Sequence, residues 1–457
     1  MIAESEMLKR ILGTLALLYI ILSCGGGGGP NDTAPTEDIT GNSNDTGGNS
    51  ETTHISVLYE AIPGSLNHSP DGTWWGYNQS KIVRFGDFVF MAVVENSDDA
   101  TTPSQFTLYK KEGDGDWSQG AQLSTSVPGN LLIDSTGILH AFVFVPTVYE
   151  ENRSIGQLKH YWFTDAATGD ITNYLEETVI DNDGESETVN VRVGAAMGSD
   201  DTLSFAFGLR KYDEAGNNDT QQLFVKSNDD TQWSNLEAGD HLGHDFFYPF
   251  VLIRDDGYSL LPVQDDFMGV GNTNRYQKIL YFEYQDGSWS NELIVDLTEH
   301  TMAASRARLL EQSDMFEASD GTVHVIYKEF LDPDLDWKVT TFKHLKRSDR
   351  TWTTNAIDLS ASTVNWLRIL EYEEEIYFLC ATSDALYLMK EGSTTLTQLE
   401  VPSDALGIYP YYASPRSGTS TNESYLDILM LSGGSNAYPN APNYYVRIAK
   451  SELSKVQ

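Results

Sequence analysis

Two kinds of short hairpin alternate along most of this chain, and that alternation leaves few folds open. The first kind is a pair of apolar strands around a glycine, as in the stretch from Lys81 through Gly86 to Met91. It returns from Leu131 through Gly137 to Phe142, and again around Gly198, Gly257 and Gly321, at intervals of about 50 to 65 residues. The second kind follows each time as a strand, a polar turn and a tryptophan. Leu108 to Trp117, Leu223 to Trp233, Tyr281 to Trp289 and His344 to Trp352 are its copies. Helical periodicity is nearly absent after His54, whereas runs rich in Val, Ile, Phe, Tyr and Thr recur between turn residues.

Two hairpins per unit make a four-stranded sheet, and radial repetition of such sheets at this period is the pattern of a β-propeller. Inner hairpins start near Ser80, Asn130, Thr188, Phe250, Asp314, Trp366 and Tyr409, which makes seven blades; a six-bladed ring is the alternative. The last unit runs out after a strand at Tyr444 to Lys450, while Ile55 to Ala61 reads as a strand with no hairpin partner. Pairing these ends closes the ring and removes an exposed edge. The expected fold is an all-β, seven-bladed propeller over residues 54–457, its N-terminal strand completing the last blade. Two β-sandwiches would not produce this regular alternation.

The first 53 residues read differently. Lys9 and Arg10 precede an apolar run from Ile11 to Leu22, after which comes Ser23-Cys24. That run is far shorter than the roughly 20 residues of a membrane-spanning helix. A basic start, a short apolar stretch and a small residue at the cut describe a secretory signal peptide over residues 1–23. Ile21-Leu22-Ser23-Cys24 also resembles the lipobox of bacterial lipoproteins, which implies that Cys24 carries the lipid. Gly25 to Gly29 and the Asn-, Thr- and Asp-rich stretch to Thr53 hold one large apolar residue, Ile39, so residues 24–53 read as a flexible linker. The expected location is the bacterial cell envelope, at the outer membrane or cell surface, with the lipid as the only membrane contact.

Charge and cysteine usage fit that setting. The sequence carries 67 acidic and 29 basic residues, a net charge of −38, which argues against nucleic acid and against docking on anionic lipid. Of its two cysteines only Cys380 remains once Cys24 is lipidated, so the fold rests on its core without a disulfide. A monomer is expected.

The Gly-turn hairpin followed by an Asp-Gly-x-Trp-Ser hairpin resembles the BNR-repeat, sialidase-like propellers of secreted carbohydrate-active proteins. The similarity covers most of residues 70 to 360. Gly76 to Val83 and Tyr248 to Gly257, with Gly269 to Arg275 after it, are the stretches most similar to the group that includes ulvan lyases. The resemblance implies a polysaccharide or oligosaccharide ligand and, for an enzyme, a polysaccharide lyase or glycoside hydrolase. The chain departs from those enzymes at Ser126 to Asn130, where their histidine is missing, and at Val263-Gln264, where they carry a Tyr-Arg pair. No Arg-Ile-Pro motif is present. Binding without turnover and binding with cleavage both stay open, as does a non-catalytic propeller serving as a protein-interaction platform in the envelope.

Inner strands of a propeller converge on its axis, so the residues at their starts share one face. In order these are Trp75, Tyr77, Asn78 and Gln79; Asn130; Asn190 and Arg192; His244, Asp245 and Tyr248; Gln312 and Asp314; Asn365 and Trp366; Tyr409 and Tyr411. Aromatic rings stack on the apolar faces of pyranoses and amides bond their hydroxyls. The expected ligand-binding residues are Tyr77, Asn78, Gln79, Asn130, Asn190, Arg192, Trp366 and Tyr409, with His244 and Tyr248 as a proton-transfer pair. Packing between blades is the competing role for each aromatic.

His140 and His324 recur three residues after a turn glycine, which marks both as core groups between blades. Asp332-Pro-Asp334-Leu-Asp336 and Asp114-Gly-Asp116 lack the glycine and distal glutamate of a defined calcium loop. No metal or cofactor is expected; calcium in these turns is the one open alternative.

Overall fold

The computed structural model describes residues 54–456 except 67–75, 98–103, 126–127, 151–152, 182–185, 214–215, 237–245, 265–277, 298, 300–308, 331–340, 358, 360–363, 383–384, 403–408 and 432–441. Seven sheets follow one another along the chain. Two strands precede the first, β1 (His54–Ile55) and β2 (Leu58–Leu66). Blade 1 comprises β3 (Ile82–Phe85), β4 (Phe88–Asn96), β5 (Ser104–Glu112) and β6 (Ser118–Thr125). Blade 2 comprises β7 (Asn130–Ile133), β8 (Leu139–Glu150), β9 (Arg153–Phe163) and β10 (Leu175–Asp181). In blade 3 these are β11 (Ser186–Met197), β12 (Leu203–Asp213), β13 (Gly216–Lys226) and β14 (Ser234–Asn235). Blade 4 holds β15 (Phe246–Arg254), β16 (Gly257–Gln264), β17 (Lys278–Gln285) and β18 (Ser288–Asp296). Blade 5 holds β19 (Leu310–Glu317), β20 (Val323–Glu329), β21 (Thr341–Ser348) and β22 (Thr351–Ile357). Blade 6 is β23 (Trp366–Tyr372), β24 (Glu375–Ala381), β25 (Leu386–Lys390) and β26 (Thr397–Leu399), and blade 7 begins with β27 (Tyr409–Tyr412), β28 (Tyr425–Leu431) and β29 (Pro442–Ala449).

The N-terminal segment closes the ring, in two steps. β2 pairs antiparallel with β29, Leu58 opposite Arg447 and Ala61 opposite Tyr444, and so supplies the outer strand of blade 7. Just before it, β1 runs parallel to β26 and adds a fifth strand to blade 6. One stretch of chain thus ties two neighbouring blades. The step at Ser56-Val57 between them is a detail that alternation alone does not reveal.

Burial falls from axis to rim, and composition follows it. Along β7 and β19 nearly every residue is buried, whereas β22 exposes most of its length. The apolar side chains form layers between blades: Val83, Phe90 and Leu108 of blade 1 meet Leu131, Ile133 and Tyr161 of blade 2. Each repeated tryptophan then reaches back to the preceding blade. Trp117 Nε1 donates to Glu60 (2.7 Å), Trp233 to Glu177 (3.0 Å), Trp289 to the Leu236 carbonyl (2.9 Å) and Trp352 to Glu292 (3.0 Å). A large half-buried ring with one polar atom suits this place, since it covers apolar surface and donates to the rim. The second hairpin type of the sequence is therefore a clamp between blades.

Candidate functional site

Three inner strands are irregular at their starts. Register breaks occur between Thr188 and Val193 on β11, Phe247 and Phe250 on β15, and Gln312 and Asp314 on β19. Such irregularities re-aim side chains and release backbone groups from the ladder. Amide side chains from other blades bond backbone carbonyls in this region. Asn78 Nδ2 donates to Val193 O (3.1 Å) and Pro249 O (2.9 Å), and Gln79 Nε2 to Pro128 O (3.1 Å). Gln312 Nε2 donates to Tyr248 O and Leu261 O, each at 3.3 Å. Gly194 permits the approach of Pro249, because a Cβ there would lie 1.9 Å from the Pro249 carbonyl oxygen.

Above these amides the aromatics of four blades meet. Tyr77 stacks on Tyr248 with ring centroids 4.3 Å apart and touches Trp366 at 5.1 Å; Trp366 in turn touches Tyr409 at 5.2 Å. The Tyr77 hydroxyl donates to Gln312 Oε1 (2.9 Å). Tyr77, Tyr248 and Trp366 are all at most 5% exposed, and only Tyr409 of the four is partly open. Tyr248 has φ +51°; among the described residues the other positive-φ non-glycine residues, such as Asp286 and Glu373, sit in tight turns, whereas Tyr248 lies inside a strand.

Cations fill the space around the rings. Lys328 Nζ lies 3.3 Å from the centre of the Trp366 ring and 2.7 Å from Glu311. Lys81 sits over Tyr411 at 4.8 Å, and burial, with Arg368 nearby, pushes its amine well below the usual lysine range. Arg368 donates to Pro410 O (2.8 Å) and Ser313 O (2.7 Å). Asp314 faces both Arg368 and Arg416 at 3.9 Å; burial raises its carboxyl nonetheless, and burial lowers the Arg416 guanidinium.

Arg416 comes from a single turn of 3-10 helix, Pro415–Ser417, that follows β27 and packs against β7 and β11. Its Nη1 donates to Asn78 O (3.2 Å), and its guanidinium covers the Phe250 ring at 4.9 Å. Gly418, with φ +89°, packs so closely that a Cβ would lie 1.7 Å from the Ile133 carbonyl oxygen of blade 2.

The structure brings together Tyr77, Asn78, Gln79, Tyr248, Trp366 and Tyr409, from blades 1, 4, 6 and 7. Their geometry differs from a set of open rings and free amides: three ring faces are occupied by one another, and the amide donors of Asn78 and Gln79 bond backbone. Asn130 is fully buried, and among the described residues neither its Oδ1 nor its Nδ2 has a partner; the same holds for Asn78 Oδ1. The side chains of Asn190 and Arg192 lie outside the described residues, although their backbone belongs to β11. His244, Asp245, Trp75 and Cys24 lie outside them altogether. Lys81, Lys328, Arg368 and Arg416 are part of the axial cluster without having been singled out in the sequence. For Arg368 a signal existed, because it alternates with Trp366 on one face of β23; for Arg416, in a turn, none did.

No protein-family model matches the chain, and no curated protein sequence matches it. Among solved structures it is similar to the phage phi92 endosialidase (10% identity, covering 86% of this chain and 69% of that one, TM-score 0.43). It is also similar to the Trypanosoma rangeli sialidase in complex with sialic acid (12%, 88% and 58%, 0.43). A third is the α-L-arabinofuranosidase arb93a from Fusarium graminearum (10%, 89% and 99%, 0.45). The chain spans 58% of the length of the trypanosome enzyme. The propeller assignment itself rests on the seven paired sheets.

Proposed function

We propose that this chain is a lipid-tethered, extracytoplasmic propeller of the BNR-repeat type that binds an extracellular polysaccharide at the face where its inner strands begin. The observation that carries the reading is Tyr248. A tyrosine held at φ +51° inside a strand costs on the order of 1–3 kcal/mol, and such strain persists where its surroundings fix it and clusters at functional sites. Here Tyr248 stacks on Tyr77, which touches Trp366, and Trp366 touches the partly open Tyr409. A sugar face stacking on the open side of Tyr409 would suit this arrangement.

A second reading is favoured by a different observation. Tyr77, Tyr248 and Trp366 are packed together and Arg416 covers Phe250, an arrangement that suits a propeller whose face serves as a protein-interaction platform. A glycan screen with the purified chain separates the two. Saturable binding to one polysaccharide class supports the first reading, and binding to none supports the platform. His244→Ala, assayed on a bound glycan, then separates cleavage from recognition: retained binding with lost turnover gives His244 a proton-transfer role.

A further inference from the structure

Blades 2 and 5 each contain a buried pair of histidines, built the same way. His140 Nδ1 lies 2.9 Å from His160 Nε2, and His324 Nδ1 lies 2.9 Å from His344 Nε2. Ring centroids are 5.2 and 5.1 Å apart, with planes inclined by 15° and 22°. Each pair ends on a glutamate: His160 Nδ1 is 3.0 Å from Glu177, and His344 Nδ1 is 3.3 Å from Glu391. All four histidines are less than 9% exposed.

The hydrogen bonds dictate the tautomers. Both glutamates are held at about 2, burial opposing the bonds from histidine and lysine that lower them, so at neutral pH they only accept. His160 and His344 must then carry a proton on Nδ1, which leaves Nε2 as acceptor for the Nδ1–H of His140 and of His324. The outer nitrogen of His140, Nε2, faces Asp134 Oδ2 at 3.6 Å. One added proton fits there, facing a carboxylate. A second does not: both rings would then be cations about 5 Å apart, with N–H against N–H across the 2.9 Å contact.

Each pair also lies at a seam. His160 packs edge-on against Trp233 of blade 3, and Glu177 accepts from Lys226 (3.1 Å) and Trp233 of that blade. His344 packs edge-on against Phe378 of blade 6, and Glu391, in the turn after β25, joins His344 and Lys346 of blade 5. We propose that the two histidine pairs are acid-sensitive latches, holding blade 2 to blade 3 and blade 5 to blade 6 while at most singly protonated and releasing those seams when doubly protonated. The charged groups facing the first latch are Asp134, Glu177 and Lys226; those facing the second are Asp320, Glu391 and Lys346.

The pH window follows from burial. Burial, with the partner ring adding to it in each case, pulls His160 and His324 from 6.5 to about 4. A depressed histidine contributes stability that is fully present above its unfolded value, near 6.5, and is lost as pH falls toward the folded one. The test is thermal unfolding of the chain and of its His140→Gln/His324→Gln variant between pH 7.5 and 4.5, with ring nitrogen NMR on the unmodified chain. The expected result is a steeper loss of melting temperature with acid in the unmodified chain, by about 5 °C or more. NMR should show Nδ1–H tautomers on all four rings, and hydrogen exchange should rise first in β10, β14 and the Lys390–Leu399 stretch. Equal pH slopes overturn the proposal. So do rings that all titrate together near 6.5, a readout that stands even where the variant fails to fold.

Discussion

Arg84 of blade 1 and Asp427 of blade 7 form a bidentate ion pair across the ring seam, Nε to Oδ2 at 2.5 Å and Nη2 to Oδ1 at 2.7 Å, with both side chains at most 4% exposed. The Tyr445 hydroxyl donates to the same carboxylate. Burial disfavours the Arg84 charge, but the bonds and charge of Asp427 outweigh it and raise the guanidinium above its ordinary range. Around the pair, Lys111 meets Glu60 at 2.8 Å and Arg447 meets Asp114 at 2.5 Å, so ion pairs from three strands of blade 7 cross the closing seam.

Removing one member of this pair strands the other in the core. Asp427→Ala and Arg84→Ala should each destabilise the domain by about 3–5 kcal/mol, and the double variant by less than the sum. Urea unfolding of the three proteins measures this. Additive losses would mean that the two groups act independently.

Ring closure makes a second expectation. Residues 25–51 read as a linker in the sequence, whereas Glu60 in β2 holds both Trp117 and Lys111 of blade 1. Deleting 25–51 should leave the melting curve unchanged. Extending the deletion through Ala61 removes β1 and four of the five residue pairs between β2 and β29, and should lower the melting temperature of the whole domain. Coincident curves for the two truncations would remove β2 from the closure.

Legibility in the sequence varied with the kind of signal. The inner strands start close to Ser80, Asn130, Trp366 and Tyr409 as read from the chain, because a glycine turn between two apolar runs is a local signal. His140 and His324 read as core from their repeat position; their partners His160 and His344 lie on the next strand of each blade, and the common spacing of 20 residues between partners is the signal that points to them. The axial aromatics were legible as a group, since strand starts converge. Their burial was not, because it depends on Gln312 bridging Tyr77 and Tyr248 across three blades and on the turn carrying Arg416.

The anchor is tested apart from the fold. Ile21-Leu22-Ser23-Cys24 motivates Cys24→Ser, which should abolish incorporation of a labelled fatty acid and leave the signal peptide uncut. Cys380 offers no substitute site, being fully buried with its thiol pushed above the ordinary range by burial. Persistent labelling of the serine variant would exclude lipidation at this position.

The axial rings allow the sharpest separation of folding from binding. Tyr77 is 4% exposed, stacks on Tyr248 and bonds Gln312, so Tyr77→Ala should cost about 3–5 kcal/mol through the cavity and the stranded amide. Tyr409 touches the same cluster from its partly open side. Tyr409→Ala should leave the unfolding midpoint nearly unchanged and weaken a bound oligosaccharide by about 1–3 kcal/mol if its ring stacks on sugar. Gln312→Leu supplies the control, since it removes the bridge and leaves Tyr409 in place, so it should lower stability more than affinity. Calorimetric binding and denaturant unfolding on the three variants give the two readouts. A Tyr409→Ala protein that keeps full affinity for a glycan the parent chain binds would place the site away from the axis. One that loses stability as Tyr77→Ala does would make all four rings a structural core, with the platform reading ahead.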